Sequence, residues 1–199
     1  MEMLPAAFAS GWASGINAWG TVLVLGILGR FANVPDIPAG FQRTDVLIAM
    51  GVLCLIEVVA DKIPYLDSAW DTVSTVVRPI AGAVIGAVYA GSSGDLVTLA
   101  LASVGGLTAL ASHLTKAGLR LAINTSPEPF TNVAASSAGD VAVTGIATLV
   151  ALAPVAAAII AAVLLILGAI GVAVALRKVK KGWARFQAWR KRAATPTQT

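Results

Sequence analysis

Charge is scarce in this sequence, and its scarcity narrows the class of protein. Asp, Glu, Lys and Arg make up 12% of the 199 residues, about half of the ~25% that is usual in globular proteins. Aromatic residues are few, at 6%, whereas apolar residues reach 57% and the mean hydropathy is +0.83. Apolar runs near or above ~18 residues recur along the chain, and such runs are transmembrane candidates. The composition therefore predicts an integral membrane protein surrounded by the lipid bilayer.

Two further scarcities exclude particular sites. A single cysteine, Cys54, excludes an intramolecular disulfide, and its apolar neighbours predict a small buried residue. A single histidine, His113, excludes a multi-histidine metal site. A carboxylate site for a hard cation stays open, because such cations take oxygen ligands, and Glu57, Asp61 and Asp71 are its candidates. HExxH, GxSxG and P-loop patterns are absent, so the motifs support no enzyme activity and no cofactor.

The apolar runs predict an all-α, polytopic transmembrane helix bundle over residues 1–176. The five expected spans lie at about 8–31, 46–60, 67–89, 96–123 and 141–176. The last segment holds 36 residues without a charge, about 54 Å of helix. We interpret it as one kinked, tilted helix, because Pro154 stands among apolar residues with no polar turn residue beside it. Two spans with a turn near Pro154, giving six in all, are the alternative.

Basic residues are concentrated at the C-terminus. Eight of the 14 Lys and Arg residues lie between Arg177 and Arg192, and Trp and Phe residues are interleaved with them at helical spacing. We expect residues 177–199 to form a basic, amphipathic tail at the cytoplasmic face of a bacterial inner membrane, bound to anionic lipid rather than to nucleic acid.

The five-span arrangement fixes the side of each loop relative to this tail. Residues 124–137 should face the side opposite to the tail. Lys62, Lys116 and Arg120 then lie near the outer face, which conflicts with the tendency of positive residues to stay inside. The conflict marks either an error in the span count or a functional feature.

The two halves of the chain, about 8–90 and 95–176, show a weak internal repeat. The segments "SGINA" and "GGLTA" are 91 positions apart, and each apolar run that contains one leads to a similar loop, "NVPDIP" or "NTSPEP". Three crossings separate the two copies, so the repeat would be inverted in the membrane. Inverted repeats with interrupted helices are typical of transporters.

Ionisable side chains inside apolar segments are costly and usually functional, and here they recur at helical spacing. They are Glu57 and Asp61 in the second span, Asp67, Asp71 and Arg78 in the helix that enters the third, and His113, Lys116 and Arg120 in the fourth. Two stripes are mainly acidic and one is basic, and all three should lie at one end of the bundle. We expect one connected network, either a functional polar cavity or a set of ion pairs that hold the helices together. Asp67 is the residue that best fits an ordinary solvated loop charge.

The segments "EVVADKIPYLDSAWDTVSTVVRPIAGA" and "HLTKAGLRLAINTSPEPFTN" closely resemble the signature segments of an uncharacterised bacterial membrane family, domain of unknown function 4126. The resemblance covers about residues 10–160 and implies a multi-pass inner-membrane protein without an assigned activity. The positions that match the family pattern are Glu57, Asp61, Lys62, Pro64, Asp67, Trp70, Arg78, Pro79, His113, Lys116, Arg120, Asn124, Pro127, Glu128, Pro129 and Asn132. Through this match, Asn124 and Glu128 join the candidate site.

Three functions fit these observations. The first is a small transporter, channel or flippase with a polar site among the second, third and fourth spans. There, Lys116 and Arg120 would suit an anionic solute or lipid headgroup, and Glu57 and Asp61 a small cation or proton. His113 would be a natural proton-linked switch, since histidine titrates near neutral pH. The second is a structural subunit of a membrane complex, and the third is an enzyme acting on lipid headgroups. A homo-oligomer is compatible with all three.

Overall fold

A computed structural model describes residues 2–63, 66–123 and 129–193, and within these ranges the chain is helical apart from short connections. The helices are α1 (Met3–Ile16), α2 (Ala18–Phe31), α3 (Thr44–Ala60), α4 (Leu66–Ala90), α5 (Asp95–Ile123), α6 (Pro129–Leu152) and α7 (Pro154–Ala193). Four segments are long and apolar enough to cross a membrane, namely Ala69–Ala90, Asp95–Leu121, Val133–Leu152 and Pro154–Arg185, and α2 is a shorter apolar helix. The all-α membrane bundle is confirmed.

The first expected span is broken at Asn17. Its backbone is extended, with φ −149° and ψ 100°, so one residue both ends α1 and begins α2. The Asn17 N–H donates to the carbonyl of Ala13 at 2.9 Å, and its Oδ1 accepts from the N–H of Gly20 at 2.7 Å. Asparagine is among the best residues for capping a helix start in this way. Each helix has 14 residues, about 21 Å, which is short for a full span.

Helix α1 runs parallel to α5. The backbone of Gly11 lies against Gly105, and that of Gly15 lies against Ala109. We call the end of the bundle at residues 91–94, where α4 turns into α5, the turn end, and the opposite end the far end. Met3 lies beside Ser93, so α1 starts at the turn end and points towards the far end.

Helix α2 returns to the turn end. It is antiparallel to α3, because Asn17 contacts Cys54 while Gly26 lies against Leu47. The segment that follows α2 is also at the turn end, where the rings of Phe41 and Tyr89 meet edge to face at 6.4 Å. Helices α1 and α2 therefore form a V that enters and leaves at one end, in place of the single span expected at 8–31.

Helices α6 and α7 form a second V. Helix α7 is parallel to α5, because Gly168 lies against Thr115 and Gly118 against Val172. Residue Gly139 of α6 lies beside Ile16, the last residue of α1. One straight helix could not hold positions 139 and 168 at the same level, since 29 helical residues span about 43 Å. The expectation of one kinked helix at 141–176 is wrong, and the alternative with a turn near Pro154 is found.

The reason for this turn is local. Proline has no N–H and its ring blocks the carbonyl one turn earlier, so a helix does not pass it undisturbed. Ala153 closes α6 through its N–H to Leu149 O (2.7 Å) and opens α7 through its carbonyl, which accepts from Ala157 N (3.0 Å). Ala151 and Ala157 are buried. The turn packs against protein and keeps its backbone groups paired, so it needs no polar turn residue.

The second V changes the end at which α6 begins, compared with the expected position opposite to the tail. Helix α5 ends and α6 begins at the far end, and α7 returns there before it continues into the basic segment. The first residues of α6, 129–137, and the tail therefore lie at the same end, which corrects the expectation of opposite sides. Lys62, Lys116 and Arg120 are at this end too, so they lie on the same side as the basic tail and not opposite to it.

Glycine brings α4, α5 and α1 into close contact. Gly105 lies between Gly11 of α1 and Gly82 of α4, and a Cβ atom on Gly105 would overlap the carbonyl oxygen of Gly82. Small residues allow this backbone approach in membrane helix packing. The contact holds the charged stripes of α4 and α5 face to face.

The expected tail is helical up to residue 193, and it continues α7 without a break. Its Trp183 is 61% exposed. The boundary at residue 176 is therefore a change in composition and not a break in the helix. The membrane binding of the tail and the inverted repeat both stay predictions.

Candidate functional site

Helices α3, α4 and α5 bring seven of the expected site residues together at the far end, six of them buried in the bundle and the seventh, Lys116, with its side chain 13% exposed. They are Glu57, Asp61, Asp71, Arg78, His113, Lys116 and Arg120. We call these seven, together with Asp67, the ion network. The helical spacing seen in the sequence explains the grouping, because each stripe faces one side of its helix. Asn124 and Glu128 lie outside the residues that the structure describes.

Arg78 is the hub of the half of the ion network nearer the membrane centre. Its Nη2 donates to Glu57 Oε1 at 2.6 Å, and both side chains are 1% exposed. Its Nη1 lies 2.8 Å from His113 Nδ1 and 3.6 Å from Asp71 Oδ1. A guanidinium so deeply buried needs such partners, since removing a charge from water without compensation is very unfavourable.

The contacts of His113 determine its tautomer. Arginine only donates, so Nδ1 must be the acceptor in the contact with Arg78. On the other side of the ring, Nε2 is 3.0 Å from Thr75 Oγ1, and this hydroxyl donates to the carbonyl of Asp71 at 2.9 Å. Nε2 therefore carries the proton and donates to Thr75. The ring is neutral in this arrangement, and a second proton on Nδ1 would oppose the Arg78 donor.

The outer half of the ion network is built around Asp61, which follows the last residue of α3. Lys116 Nζ lies 2.5 Å from Asp61 Oδ2, and Arg120 Nη2 lies 3.2 Å from the same oxygen. The expected attraction between the acidic stripe of α3 and the basic stripe of α5 is found here. The pairing differs in detail from a direct contact of Glu57 with Lys116, because Glu57 binds Arg78.

Arg120 links this half to α4. Its Nη1 lies 2.8 Å from Asp71 Oδ2, and its Nε lies 3.9 Å from Asp67 Oδ2. Asp67 is fully buried, with 0% exposure, so the interpretation of Asp67 as a solvated loop charge is wrong. The helix that enters the third span begins at Leu66, which places Asp67 on the same stripe as Asp71.

The C-terminus of α1 closes the ion network, a feature that the sequence did not reveal. Lys116 Nζ donates to the carbonyl of Ile16 at 2.9 Å, and Arg78 Nη1 donates to that of Gly15 at 3.3 Å. The last carbonyls of a helix lack intrahelical partners and carry partial negative charge. Two cations therefore satisfy a helix end inside the bundle. The available signal was the helix-capping Asn17 after a run of small residues.

A separate ion pair lies beside the ion network. Lys62 Nζ is 3.3 Å from Asp140 Oδ2, and both side chains are partly exposed. This pair joins the end of α3 to α6.

The carboxylates that the sequence offered as candidates for a metal site form ion pairs instead. Glu57, Asp61 and Asp71 are each paired with a cationic side chain. Among the described residues, no group of three or more His, Cys, Asp or Glu side chains is placed to hold a metal ion. Carboxylates in the ion network outnumber its cations by four to three, an excess of one negative formal charge.

A cavity of about 260 Å³ adjoins the outer half of the ion network. We call it the α6–α7 pocket, because both arms of the second V line it together with α1 and α5. Its walls are mostly apolar, and Lys116, Arg120 and Ser136 supply polar groups. The lining residues are Trp12, Ile16, Ser112, Thr115, Lys116, Leu119, Arg120, Ile123, Ala135, Ser136, Ala138, Gly139, Ala142, Leu164 and Gly168. Glu57 does not line it.

The chain was compared with known proteins. No curated protein and no solved structure matches it. The model of one family, described as Domain of unknown function (DUF4126), matches residues 4–174, which is most of the chain. The expected resemblance is thereby confirmed, and the chain belongs to this family of membrane-helix proteins.

Proposed function

We propose that this protein is a small transporter or flippase that moves an anionic solute or a lipid headgroup across the bacterial inner membrane. The observation that carries the proposal is the end of α1 inside the bundle, where its last carbonyls bind Arg78 and Lys116. Broken helices that end on charged groups inside a membrane domain are typical of transporter binding sites.

The burial of the ion network supports a working site. Buried ion pairs add little stability compared with well-packed apolar residues of the same volume, and ionisable side chains at membrane depth usually have a functional role. An anion that approaches Lys116 and Arg120 would compete with Asp61 for the same donors. Exchange between Asp61 and the anion would loosen the contact between α3 and α5, which gives binding a way to move helices.

The charge distribution supports an orientation with the tail in the cytoplasm. Eleven of the 14 Lys and Arg residues lie at or beyond the far end, counting the tail, and Arg78 lies in the inner half of the ion network. Arg30 and Arg43 lie near the turn end. Positive residues favour the cytoplasmic side, so the ion network would sit towards the cytoplasmic leaflet.

The experiment is transport by the purified protein in liposomes. Fluorescent phosphatidylglycerol, reduced by external dithionite, measures flipping, and uptake of radiolabelled phosphate measures solute transport. We expect the wild type to exceed empty liposomes at least tenfold in one of the two assays. Asp61→Asn should reduce that rate strongly, whereas the control Asp45→Asn, in an exposed pair with Arg43, should not. Background rates in both assays would refute the proposal.

A structural role is the second candidate, and the direct pairing of Glu57 with Arg78 favours it. The double variant Glu57→Gln/Arg78→Met removes both charges and should fold better than either single variant. If the stable double variant still transports at the wild-type rate, the inner half of the ion network has a structural role only.

A further inference from the structure

We propose that the α6–α7 pocket binds the head and the first methylenes of an acyl lipid whose head carries one net negative charge. This inference names the ligand class of the same site. The role of the ligand in transport rests on the proposed function.

Three of the residues that line the pocket each carry a hydrogen-bond donor for which the fold supplies no acceptor in a hydrogen bond. Ser136 is 4% exposed, and its Oγ has no hydrogen-bond partner. Arg120 Nη2 lies in an ion pair with Asp61 but makes no hydrogen bond of its own. The Lys116 ammonium has three N–H donors, of which Ile16 and Asp61 occupy two. Buried polar groups in proteins are almost always paired, so three spare donors at one pocket point to a missing acceptor.

The walls define the rest of the ligand. Apart from these donors they consist mainly of Trp12, Ile16 and aliphatic or small side chains of α5, α6 and α7. Apolar walls with a few converging donors are the usual composition of a site for an amphipathic ligand. A volume of about 260 Å³ equals roughly nine water volumes at ~30 Å³ each. A carboxylate or phosphodiester oxygen pair with several methylenes fits, and a large soluble headgroup does not.

The charge of the head follows from the ion network. The four carboxylates Glu57, Asp61, Asp67 and Asp71 exceed the three cations by one, and Asp61 forms ion pairs with two of the donor residues. A dianion such as a phosphate monoester would be repelled by this excess. A fatty-acid carboxylate and the phosphodiester of phosphatidylglycerol share the chemistry that remains, which is a hydrogen-bond-accepting head of low charge on an apolar chain.

The test is photolabelling of the purified full-length protein in detergent with a fatty acid that carries a diazirine near its carboxylate. Labelled peptides are located by mass spectrometry, and unlabelled competitors are added. We expect label on the pocket side of α6 and α7, within 135–142 or 164–168. Free oleate or phosphatidylglycerol should suppress it at concentrations at least tenfold lower than methyl oleate or phosphatidylcholine. Whichever of the two acidic competitors is stronger identifies the source of the head.

Two pairs of variants distinguish binding in the pocket from binding to the lipid-facing surface of the protein. Ser136→Ala should reduce labelling by about tenfold or more, the usual effect of losing one hydrogen bond to a charged group, while the neighbouring Ser137→Ala should not. Ala138→Leu fills the pocket and should abolish labelling, whereas Ala134→Leu lies outside it and should not. Neither the Ser136 nor the Ala138 side chain makes a hydrogen bond within the fold, so folding should be retained, as thermal melting will check.

Equal suppression by methyl oleate, or unchanged labelling in Ala138→Leu, would overturn the assignment. The label would then report only lipid that surrounds the protein. The outcome is distinguishable from that of the transport assays. Labelling in the pocket without flux would uphold the lipid site and refute transport, and flux without pocket labelling would do the reverse.

Discussion

At the scale of the residue, each charged side chain of the ion network has a specific counterpart. Arg78 faces Glu57, and Asp61 faces both Lys116 and Arg120. His113 fits between Arg78 and Thr75 only as the neutral tautomer with its proton on Nε2. The sequence suggested His113 as a proton switch. The geometry adds the condition that Arg78 must move away before Nδ1 can accept a proton.

The pair formed by Asp61 and Lys116 should behave as a coupled unit. Lys116→Met leaves the buried Asp61 with less compensation, and Asp61→Asn does the same to Lys116, so each single variant should lose on the order of 3–5 kcal/mol. The double variant should recover much of that loss, giving a clear coupling energy in a double-mutant cycle. Thermal or denaturant unfolding in detergent measures all three. As a control, Asp45→Asn at the exposed pair with Arg43 should leave stability unchanged, and additive losses at the buried pair would contradict the coupling.

At the scale of the element, two single-residue breaks decide the architecture. Asn17 and Ala153 each end one helix and begin the next. In both residues the N–H bonds to the preceding helix and the carbonyl to the following one. Periodicity could predict the charged stripes, because the 3.6-residue repeat places Glu57 and Asp61 on one face whatever the tertiary structure. It could not predict the return of α2, since a hydropathy pattern is insensitive to one extended residue inside an apolar run, and it left the return of α7 at Pro154 as an alternative.

The close contact of α4, α5 and α1 at Gly105 should be intolerant of a methyl group. A Cβ atom there would overlap the carbonyl oxygen of Gly82, whereas a Cβ atom on Gly145 of α6 would meet nothing within 4 Å. Gly105→Ala should therefore lower the melting temperature in detergent. Gly145→Ala should keep or raise it, because alanine is favoured over glycine in a helix by up to about 1 kcal/mol. Equal behaviour of the two variants would mean that α4 and α5 are not in backbone contact.

At the scale of the whole molecule, the two V-shaped pairs point in opposite directions through the bundle. Helices α1 and α2 enter from the turn end, and α6 and α7 enter from the far end, with α3, α4 and α5 between the two ends. The ion network lies where the tip of the first V meets α3, α4 and α5, and the α6–α7 pocket adjoins it. A shift of either V relative to the central helices would change both the ion network and the pocket at once.

This topology predicts which positions share a side of the membrane. Single cysteines are placed at Ser92, Thr131 and Gly182, all exposed, in a Cys54→Ser background, and labelled with an impermeant maleimide in right-side-out and inside-out vesicles. Thr131→Cys and Gly182→Cys should label in the same vesicle orientation, and Ser92→Cys in the other, because α6 and α7 cross and return between 131 and 182. A single final helix would instead group Ser92 with Gly182 and leave Thr131 alone. If the vesicles label that way, α6 and α7 do not fold back on each other, and the α6–α7 pocket does not exist.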